Sequence, residues 1–289
     1  MTSLREIKRR ISSIRSIWKI TSAMRMIASA KLHRAQGAVA NMLLYEQRLY
    51  SMLSALISDE EVETPYTQHR EVVKRVAIVA FSSNSSLCGA FNMNVVRKLN
   101  SLIRESYATL SPQDILLFPV GRKVYETVIR EGYTPQGDFR KMMEKPSCVE
   151  SALLARRLME LFVTHQVDRV ELVYNHYKNM AVQLPTIKQY LPLSFVEQNG
   201  KREGTMADYI LEPSQEEILT SLLPKVLELQ IFATLLDSVA AEHAARTVAM
   251  QLATDNAGEL LDELTLLYNK SRQQAITNEL LDIAGGLAR

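Results

Sequence analysis

Glycine and proline, the residues that most often interrupt helices, are both scarce in this chain. There are 10 glycines and 9 prolines among 289 residues. Because each helix-breaking residue costs helical free energy, so few of them in a long chain favour long, uninterrupted helices.

Cysteine is almost absent as well. The two cysteines, Cys88 and Cys148, are not spaced as C-x-x-C, which excludes a disulfide framework and a cysteine-based zinc site and fits a reducing compartment. The chain begins MTSLREIKRR, without the apolar stretch of a secretory signal. No run of about 18 apolar residues occurs, so we expect no membrane-spanning helix.

Positive charge is concentrated at the N-terminus, although the net charge of the chain is only +2. Residues 1–34 hold nine basic side chains and one acid, Glu6, giving +8, so the other 255 residues sum to −6. The basic residues are Arg5, Lys8, Arg9, Arg10, Arg15, Lys19, Arg25, Lys31 and Arg34. A basic end on a near-neutral protein indicates an acidic partner for that end.

The first segment, residues 1–58, predicts one long helix. Apolar residues recur at alternating spacings of three and four, which is the pattern of a coiled coil. They form two runs: Leu4, Ile7, Ile11, Ile14 and Trp18, then Ala35, Ala38, Met42, Tyr45, Leu49, Met52 and Leu56. Because the runs are out of phase, we expect the buried stripe to shift between Trp18 and Ala35.

The middle segment, residues 72–195, alternates predicted strands with predicted helices. Strands are expected at Val73–Phe81, Ile115–Val120 and Val167–Tyr177, and helices at Phe91–Tyr107, Arg122–Glu131 and Cys148–His165. This order predicts an α/β layer with a largely parallel sheet. Ala181–Leu193 carries Pro185 and Pro192, which favours an edge strand or an irregular closing segment.

The last segment, residues 213–286, predicts a second long helix. Ser214 and Glu217 have capping-box spacing, and Gly285 and Gly286 end the pattern. The expected packing positions are Leu222, Val226, Leu229, Phe232, Leu236, Val239, His243, Arg246, Met250, Ala253, Ala257, Leu260, Leu264 and Leu267. We therefore predict a mixed α/β protein in which the two terminal helices pair as a long antiparallel coiled coil around a central Rossmann-like α/β domain.

Residues able to carry catalysis are few. The loop Ser82–Asn92 follows a predicted strand and precedes a helix, as phosphate-binding loops do, but it has one glycine, Gly89, and no G-x-G-x-x-G or G-K-[ST] motif. Cys88 has no accompanying histidine signature, so a buried structural thiol is favoured. A nucleotide- or phosphate-binding α/β protein with helical arms stays open as an alternative. So does a nucleic-acid or membrane binder that uses the basic helix.

From end to end, the chain resembles the gamma subunit of bacterial F-type (proton-translocating) ATP synthase. The matching stretches are KITSAMRMIASAK (Lys19–Lys31), SSLCGAFN (Ser85–Asn92), EHAARTVAMQLATDNA (Glu242–Ala257) and LYNKSRQQAITNELLDIAGGLA (Leu267–Ala288). The Ser85–Asn92 loop has less glycine than is usual in the family. Pro224 is unexpected inside a helix of this family.

The resemblance implies a rotor shaft without catalytic residues, cofactor, metal or small-molecule substrate. Its implied partners are the ring of alpha and beta subunits, the epsilon subunit and the membrane c ring, and nucleic acid is not among them. It implies that Lys19, Met24, Arg246, Arg272 and Gln273 face the alpha–beta ring, and that Tyr209 and Glu212 lie near epsilon and the c ring. The implied location is the cytoplasmic face of the bacterial inner membrane, as a peripheral protein.

Overall fold

The computed structural model describes residues 4–57, 64–70, 72–193, 212 and 214–287. Five α-helices and four strands follow in the order α1 (Leu4–Ile57), β1 (Val76–Phe81), α2 (Phe91–Ser106), β2 (Ile115–Val120), α3 (Arg122–Arg130), α4 (Cys148–Val163), β3 (Arg169–Tyr177), β4 (Gln183–Leu191) and α5 (Gln215–Leu287). Two short 3-10 turns lie at Pro112–Asp114 and Arg140–Met143. The bounds of the predicted internal helices and strands are correct to within three residues.

The chain divides into two compact units. Met1–Ser29 and Arg246–Arg289 form one, here called the terminal unit, and Ala30–Ala245 form the other, the central unit. Both long helices contribute residues to both units, whereas the sheet and the three shorter helices belong to the central unit.

The central unit is built on a four-stranded sheet with strand order β2-β1-β3-β4. β1 pairs in parallel with both β2 and β3, and β4 runs antiparallel to β3 at the edge. The prediction of a largely parallel sheet is therefore confirmed. Pro185 lies on the edge strand, where the missing backbone N–H interrupts no inner ladder.

Both faces of the central sheet are covered, which explains why β1 is apolar along its whole length. Ala77, Val79 and Phe81 face a core shared with α4 and with parts of α1 and α5. Val76 and Ile78 face a second core that includes residues of α2 and α3. The sheet is thus the middle layer of three.

The loop after β1 enters α2 through two left-handed residues, Leu87 with φ +66° and Gly89 with φ +57°. Glycine adopts this conformation without steric cost, which suits Gly89 to the entry into the helix. Gly121, before α3, has φ +100°, and a Cβ there would lie 1.9 Å from the backbone oxygen of Ser82. No other residue type fits that approach.

In the central unit, α1 buries a different stripe from the predicted one. Ala35 and Leu49 are buried as expected, but Tyr45 and Met52 are 56% and 40% exposed, while Leu53 is only 1% exposed. Ala38 is exposed too, and the side chain of Leu56 lies outside those described. Steps of three and four fit both stripes, so the α/β layer and α5 decide between them.

In the terminal unit, α1 and α5 pair antiparallel. Thr254 of α5 donates a hydrogen bond to Thr21 of α1 over 2.9 Å, and Arg25 donates to the side chain of Gln251. As one residue number rises, its partner's number falls. The predicted antiparallel pairing of the two termini is confirmed here.

The expected break in the α1 stripe does not occur. Ala28 and Leu32 are buried and Thr21 and Arg25 are half-buried, and together they carry the three-four spacing on from Ile14 to Ala35. The prediction was wrong because Thr21 and Arg25 are polar and were not counted as packing residues. In the structure they are half-buried, each in contact with a polar residue of α5.

On α5 of the terminal unit, three packing positions were predicted one residue too early. The residues that pack are Thr254, Leu261 and Tyr268, not Ala253, Leu260 and Leu267. Leu260 and Leu267 are 45% and 44% exposed, whereas Thr254 is 6% exposed. Leu261 and Tyr268 are less exposed than Leu260 and Leu267. Met250 and Ala257 are buried as predicted. Apolar residues occupy both alternatives, so the pattern alone does not distinguish them.

The N-terminus of α5 has the expected cap. Ser214 Oγ accepts a hydrogen bond from the backbone N–H of Glu217 over 3.3 Å, which satisfies one of the free donors of the first turn. Pro224 lies inside the helix, which continues through it. Proline removes one backbone donor there.

By length and composition alone, part of α5 (Glu217–Leu281) is apolar enough to cross a membrane. Leu227, Ile231 and Leu235 of this stretch are completely buried against the α/β layer of the central unit. The core of the protein itself therefore accounts for much of this apolar character.

A buried acid lies on the α2 side of the sheet. Glu171 of β3 is 6% exposed, accepts a hydrogen bond of 3.1 Å from the hydroxyl of Tyr107, and lies 4.0 Å from the guanidinium of Arg169. Burial raises the pKa of Glu171, and the hydrogen bond from Tyr107 and the charge of Arg169 oppose that rise. The folded protein therefore holds the Glu171 proton more tightly than the unfolded chain does.

We expect Glu171→Gln to stabilise the chain increasingly as the pH rises. The stability that protonated Glu171 contributes is present below the unfolded pKa of about 4.3 and is lost as the pH passes the raised folded pKa. Thermal unfolding midpoints of both chains across the acidic and neutral range measure this. Glu160→Gln, at an exposed position on α4, is the control. If the unfolding midpoints of both variants changed equally with pH, the raised pKa of Glu171 would be contradicted.

We expect Thr21→Val and Thr254→Val to be strongly non-additive. Each removes the same hydrogen bond, so each should lower the free energy of unfolding by about 1 kcal/mol, and the double variant should lose no more than either one. A double-mutant cycle in urea measures the coupling. Simple addition of the two losses would show that the hydroxyls do not interact.

Candidate functional site

The outward face of α1 in the terminal unit is strongly basic. Arg9, Arg10, Arg15 and Lys19 are exposed. Arg10 pairs with Glu6 over 2.9 Å while its side chain stays 60% exposed, so this pair leaves most of the positive charge in solvent. Arg9, Arg15 and Lys19 form no ion pair within the described part of the chain. The face is therefore available to an acidic partner.

The outward face of α5 in the same unit has the opposite charge. Asp255, Glu259, Asp262 and Glu263 are all exposed and recur at helical spacing. Asp255 accepts hydrogen bonds from the amide of Gln251 at 2.8 Å, and Gln251 also accepts from Arg25. A polar chain of three side chains thus crosses from α1 to α5.

Exposed apolar side chains lie between these charges. Those on α1 are Ile17, Trp18, Ile20, Met24, Met26 and Ile27, between 39% and 63% exposed. Those on α5 include Leu252 and Leu266, at 59% and 71%. So many exposed large apolar residues on two paired helices are typical of a surface that another protein covers. Among these, the prediction from sequence named Met24 as a ring contact but missed Ile17, Ile20, Met26, Ile27, Leu252 and Leu266. They could have been found as apolar positions outside the three-four stripe.

The C-terminal end of α5 runs past the N-terminal end of α1. The pairs Thr21–Thr254 and Arg25–Gln251 place Ile7 opposite residues near 268 and Leu4 opposite residues near 271. Beyond that point α5 has no residue of α1 opposite it. Ile276, Leu280 and Ile283 are 48%, 62% and 61% exposed. This tip is a single helix with apolar side chains in solvent.

The five residues expected to face a surrounding ring are spread along the terminal unit. Lys19, Arg272 and Gln273 are exposed, Met24 is 39% exposed, and Arg246 is half-buried. Arg246 and Arg272 lie on one helix, roughly 39 Å apart at 1.5 Å per residue. They cannot form one compact site. They mark two levels of one elongated surface.

Of the two residues expected near epsilon and the c ring, only Glu212 can be located. It lies in a bend just before α5 and is exposed. Tyr209 lies outside the described residues.

The loop after β1, which carries the alternative phosphate-binding hypothesis, is filled by its own side chains. Asn92 Oδ1 accepts from the backbone N–H of Ser83 at 3.0 Å, and Ser82 Oγ accepts from the backbone N–H of Val124 at 2.9 Å. Asn84 Oδ1 accepts from the backbone N–H of Arg122 at 2.7 Å. Side chains of the loop thus engage one backbone donor of the loop itself and two at the start of α3.

Cys88 lies in the same loop and is 1% exposed. Its sulfur accepts a hydrogen bond from Asn92 Nδ2 at 3.2 Å and lies 3.6 Å from the hydroxyl of Ser83. No described histidine is among its hydrogen-bond partners. The expected buried structural thiol is confirmed, and the arrangement lacks the base that a cysteine nucleophile needs.

Comparison with known proteins places the chain in one family along its whole length. The ATP synthase family model matches residues 3–288. The ATP synthase gamma chain of Phocaeicola vulgatus is 54% identical over 288 residues, covering 99% of both chains. That of Bacteroides fragilis is 55% identical over 289 residues, again covering 99% of both.

Solved structures support the same fold at lower sequence identity. A chain of the Euglena gracilis mitochondrial ATP synthase, in its OSCP/F1/c-ring part, superposes with a TM-score of 0.64 at 19% identity, covering 99% of this chain and 93% of that one. A chain of the rotor of the same enzyme gives 0.62 at 21% identity, covering 94% and 98%. The model match and the close bacterial relatives together show that the chain belongs to the ATP synthase gamma chain family.

Proposed function

We propose that this chain is the central rotor shaft of an F-type ATP synthase. It couples proton flow through a membrane c ring to ATP synthesis and hydrolysis at sites on surrounding beta subunits, and helps to regulate the ATPase. The observation that carries the proposal is the terminal unit, whose two helices bury one narrow stripe and expose charged and apolar side chains on every other face. The gamma chains to which it is more than half identical support it.

A shaft that turns inside a ring must hold its shape under load and meet its partners along its length. The antiparallel stripe of α1 and α5 supplies the first property, because packed helices resist sliding past one another. The basic face supplies the second, since it attracts acidic loops of the ring without closing a permanent, apolar interface. Lys19, Met24, Arg246, Arg272 and Gln273 are the proposed contacts with alpha and beta.

In this proposal residues 1–58 and 213–286 make the shaft, and residues 72–195 form the α/β domain. Tyr209 and Glu212 contact the epsilon subunit and the c ring. The chain is a non-catalytic subunit without cofactor, and it lies peripherally on the cytoplasmic face of the bacterial inner membrane. The loop after β1 has no G-x-G-x-x-G or G-K-[ST] motif, which supports the absence of a nucleotide site.

Reconstitution tests the role directly. The purified chain should hydrolyse no ATP, whereas adding it to alpha and beta subunits should produce a rapid ATPase, because the catalytic groups lie on beta and the shaft only drives them through their conformations. Steady-state ATPase assays of each component and of the mixture measure this. ATPase activity in the chain alone, after removal of contaminating subunits, would overturn the proposal.

Met24→Lys should impair coupling more than folding. A lysine there would bring a new charge against the surrounding ring, where an unpaired desolvated charge costs several kcal/mol, as in other buried sites. Proton pumping per ATP hydrolysed in membrane vesicles should fall below that of the unsubstituted complex.

The control is Met93→Lys, which adds the same charge at a 54% exposed methionine on α2 of the central unit. It should leave pumping unchanged, and the two variants should have similar thermal unfolding midpoints. Normal pumping by the Met24→Lys complex with normal stability would contradict the assignment of Met24 to the ring contact.

A further inference from the structure

A cavity of about 300 Å³ lies in the central unit, between the sheet and the two long helices. This volume is at the lower end of the range of small-molecule sites. Val39 and Met42 of α1, Tyr174 of β3 and Ala233 of α5 give it largely apolar walls. Neither the family resemblance nor the proposed shaft role uses this cavity.

Most polar groups of the cavity already have partners. His176 Nδ1 and Asp237 Oδ2 lie 2.7 Å apart in a hydrogen bond, and Asp237 Oδ1 accepts from the backbone N–H of Tyr177 at 2.9 Å. Thr234 donates to the backbone oxygen of Gln230 at 2.8 Å. The charge of Asp237 is thus held by two donors and does not call for a cation from a ligand.

Lys188 of β4 is the exception. It is half-buried in the cavity wall, and its ammonium group has no hydrogen bond or ion pair with any residue that the structure describes. Because an ammonium group forms its strongest hydrogen bonds with anionic acceptors, Lys188 favours a ligand with one negative group.

The residues that line the cavity are spread along the strands. Lys188 is opposite Leu172, and His176 is opposite Leu184 in the antiparallel register of β3 and β4. The four residue steps from Leu184 to Lys188 correspond to about 13 Å along the strand. Tyr174 lies between the two ends, so an apolar chain rather than a compact ring fits the space.

We propose that this cavity binds a medium-chain carboxylate, with the acyl chain against Val39, Met42 and Tyr174 and the carboxylate on the ammonium of Lys188. The walls contribute by excluding water from the acyl chain, and Lys188 selects for the acid over neutral or cationic molecules of the same length. The proposal is independent of the shaft role.

Three probes of equal chain length test the charge preference: octanoate, octanol and octylamine. Ligand-observed NMR titrations on the purified chain and on the assembled complex should give saturable binding in the order octanoate, octanol, octylamine. Lys188→Gln should weaken octanoate binding about tenfold, to the level of octanol, through loss of one charge-assisted contact. Lys178→Gln, on the same hairpin but outside the cavity, should change nothing.

Ala233→Leu fills the cavity and should lower the affinity for all three probes while the thermal unfolding midpoint is retained. Equal effects of Lys188→Gln and Lys178→Gln would overturn the proposal, as would octylamine binding as tightly as octanoate. If the purified chain binds octanoate but the assembled complex does not, a neighbouring subunit covers the cavity and the proposal fails.

Discussion

The structure depends on one narrow contact, the stripe along which α1 and α5 pack antiparallel in the terminal unit. Each helix has only the other to cover it there, so every residue outside the stripe meets solvent or a partner. Ile7, Ala28, Met250 and Ala257 are buried in it, and residues one or two positions away are largely exposed. A unit built this way exposes much apolar surface, which is typical of a protein whose surface is covered by partners in an assembly.

The stripe combines apolar and polar pairs, and these have different consequences. Apolar pairs stabilise the helices but tolerate sliding by one heptad, because the next set of apolar residues is equivalent. The hydrogen bond between Thr21 and Thr254, and the contact of Arg25 with Gln251, form at one register only. Polar pairs within an apolar stripe therefore add specificity, and in a rotor the register defines which residues meet the ring.

The central unit has the opposite character. Its sheet is covered on both faces, and side chains of the loop after β1 accept hydrogen bonds from the backbone at the start of α3. The strand order resembles that of nucleotide-binding α/β layers, yet the loop after β1 lacks their glycine-rich phosphate-binding motif. The fold alone therefore does not indicate nucleotide binding, because in this protein the sheet packs against the two long helices.

Periodicity, charge and scarcity of helix breakers determined much from the sequence alone: two long terminal helices, the order of strands and short helices, the basic N-terminus and the buried Cys88. Local spacing and residue type are enough for these, since they depend on the chain's own neighbours. The tertiary structure alone decided which of two adjacent stripes each helix buries. Leu260 or Leu261, and Met52 or Leu53, satisfy the same spacing, and Thr21 and Arg25 join the stripe only because α5 places Thr254 and Gln251 against them. Burial of a polar residue depends on its partner, and that partner lies more than 200 residues away along the chain.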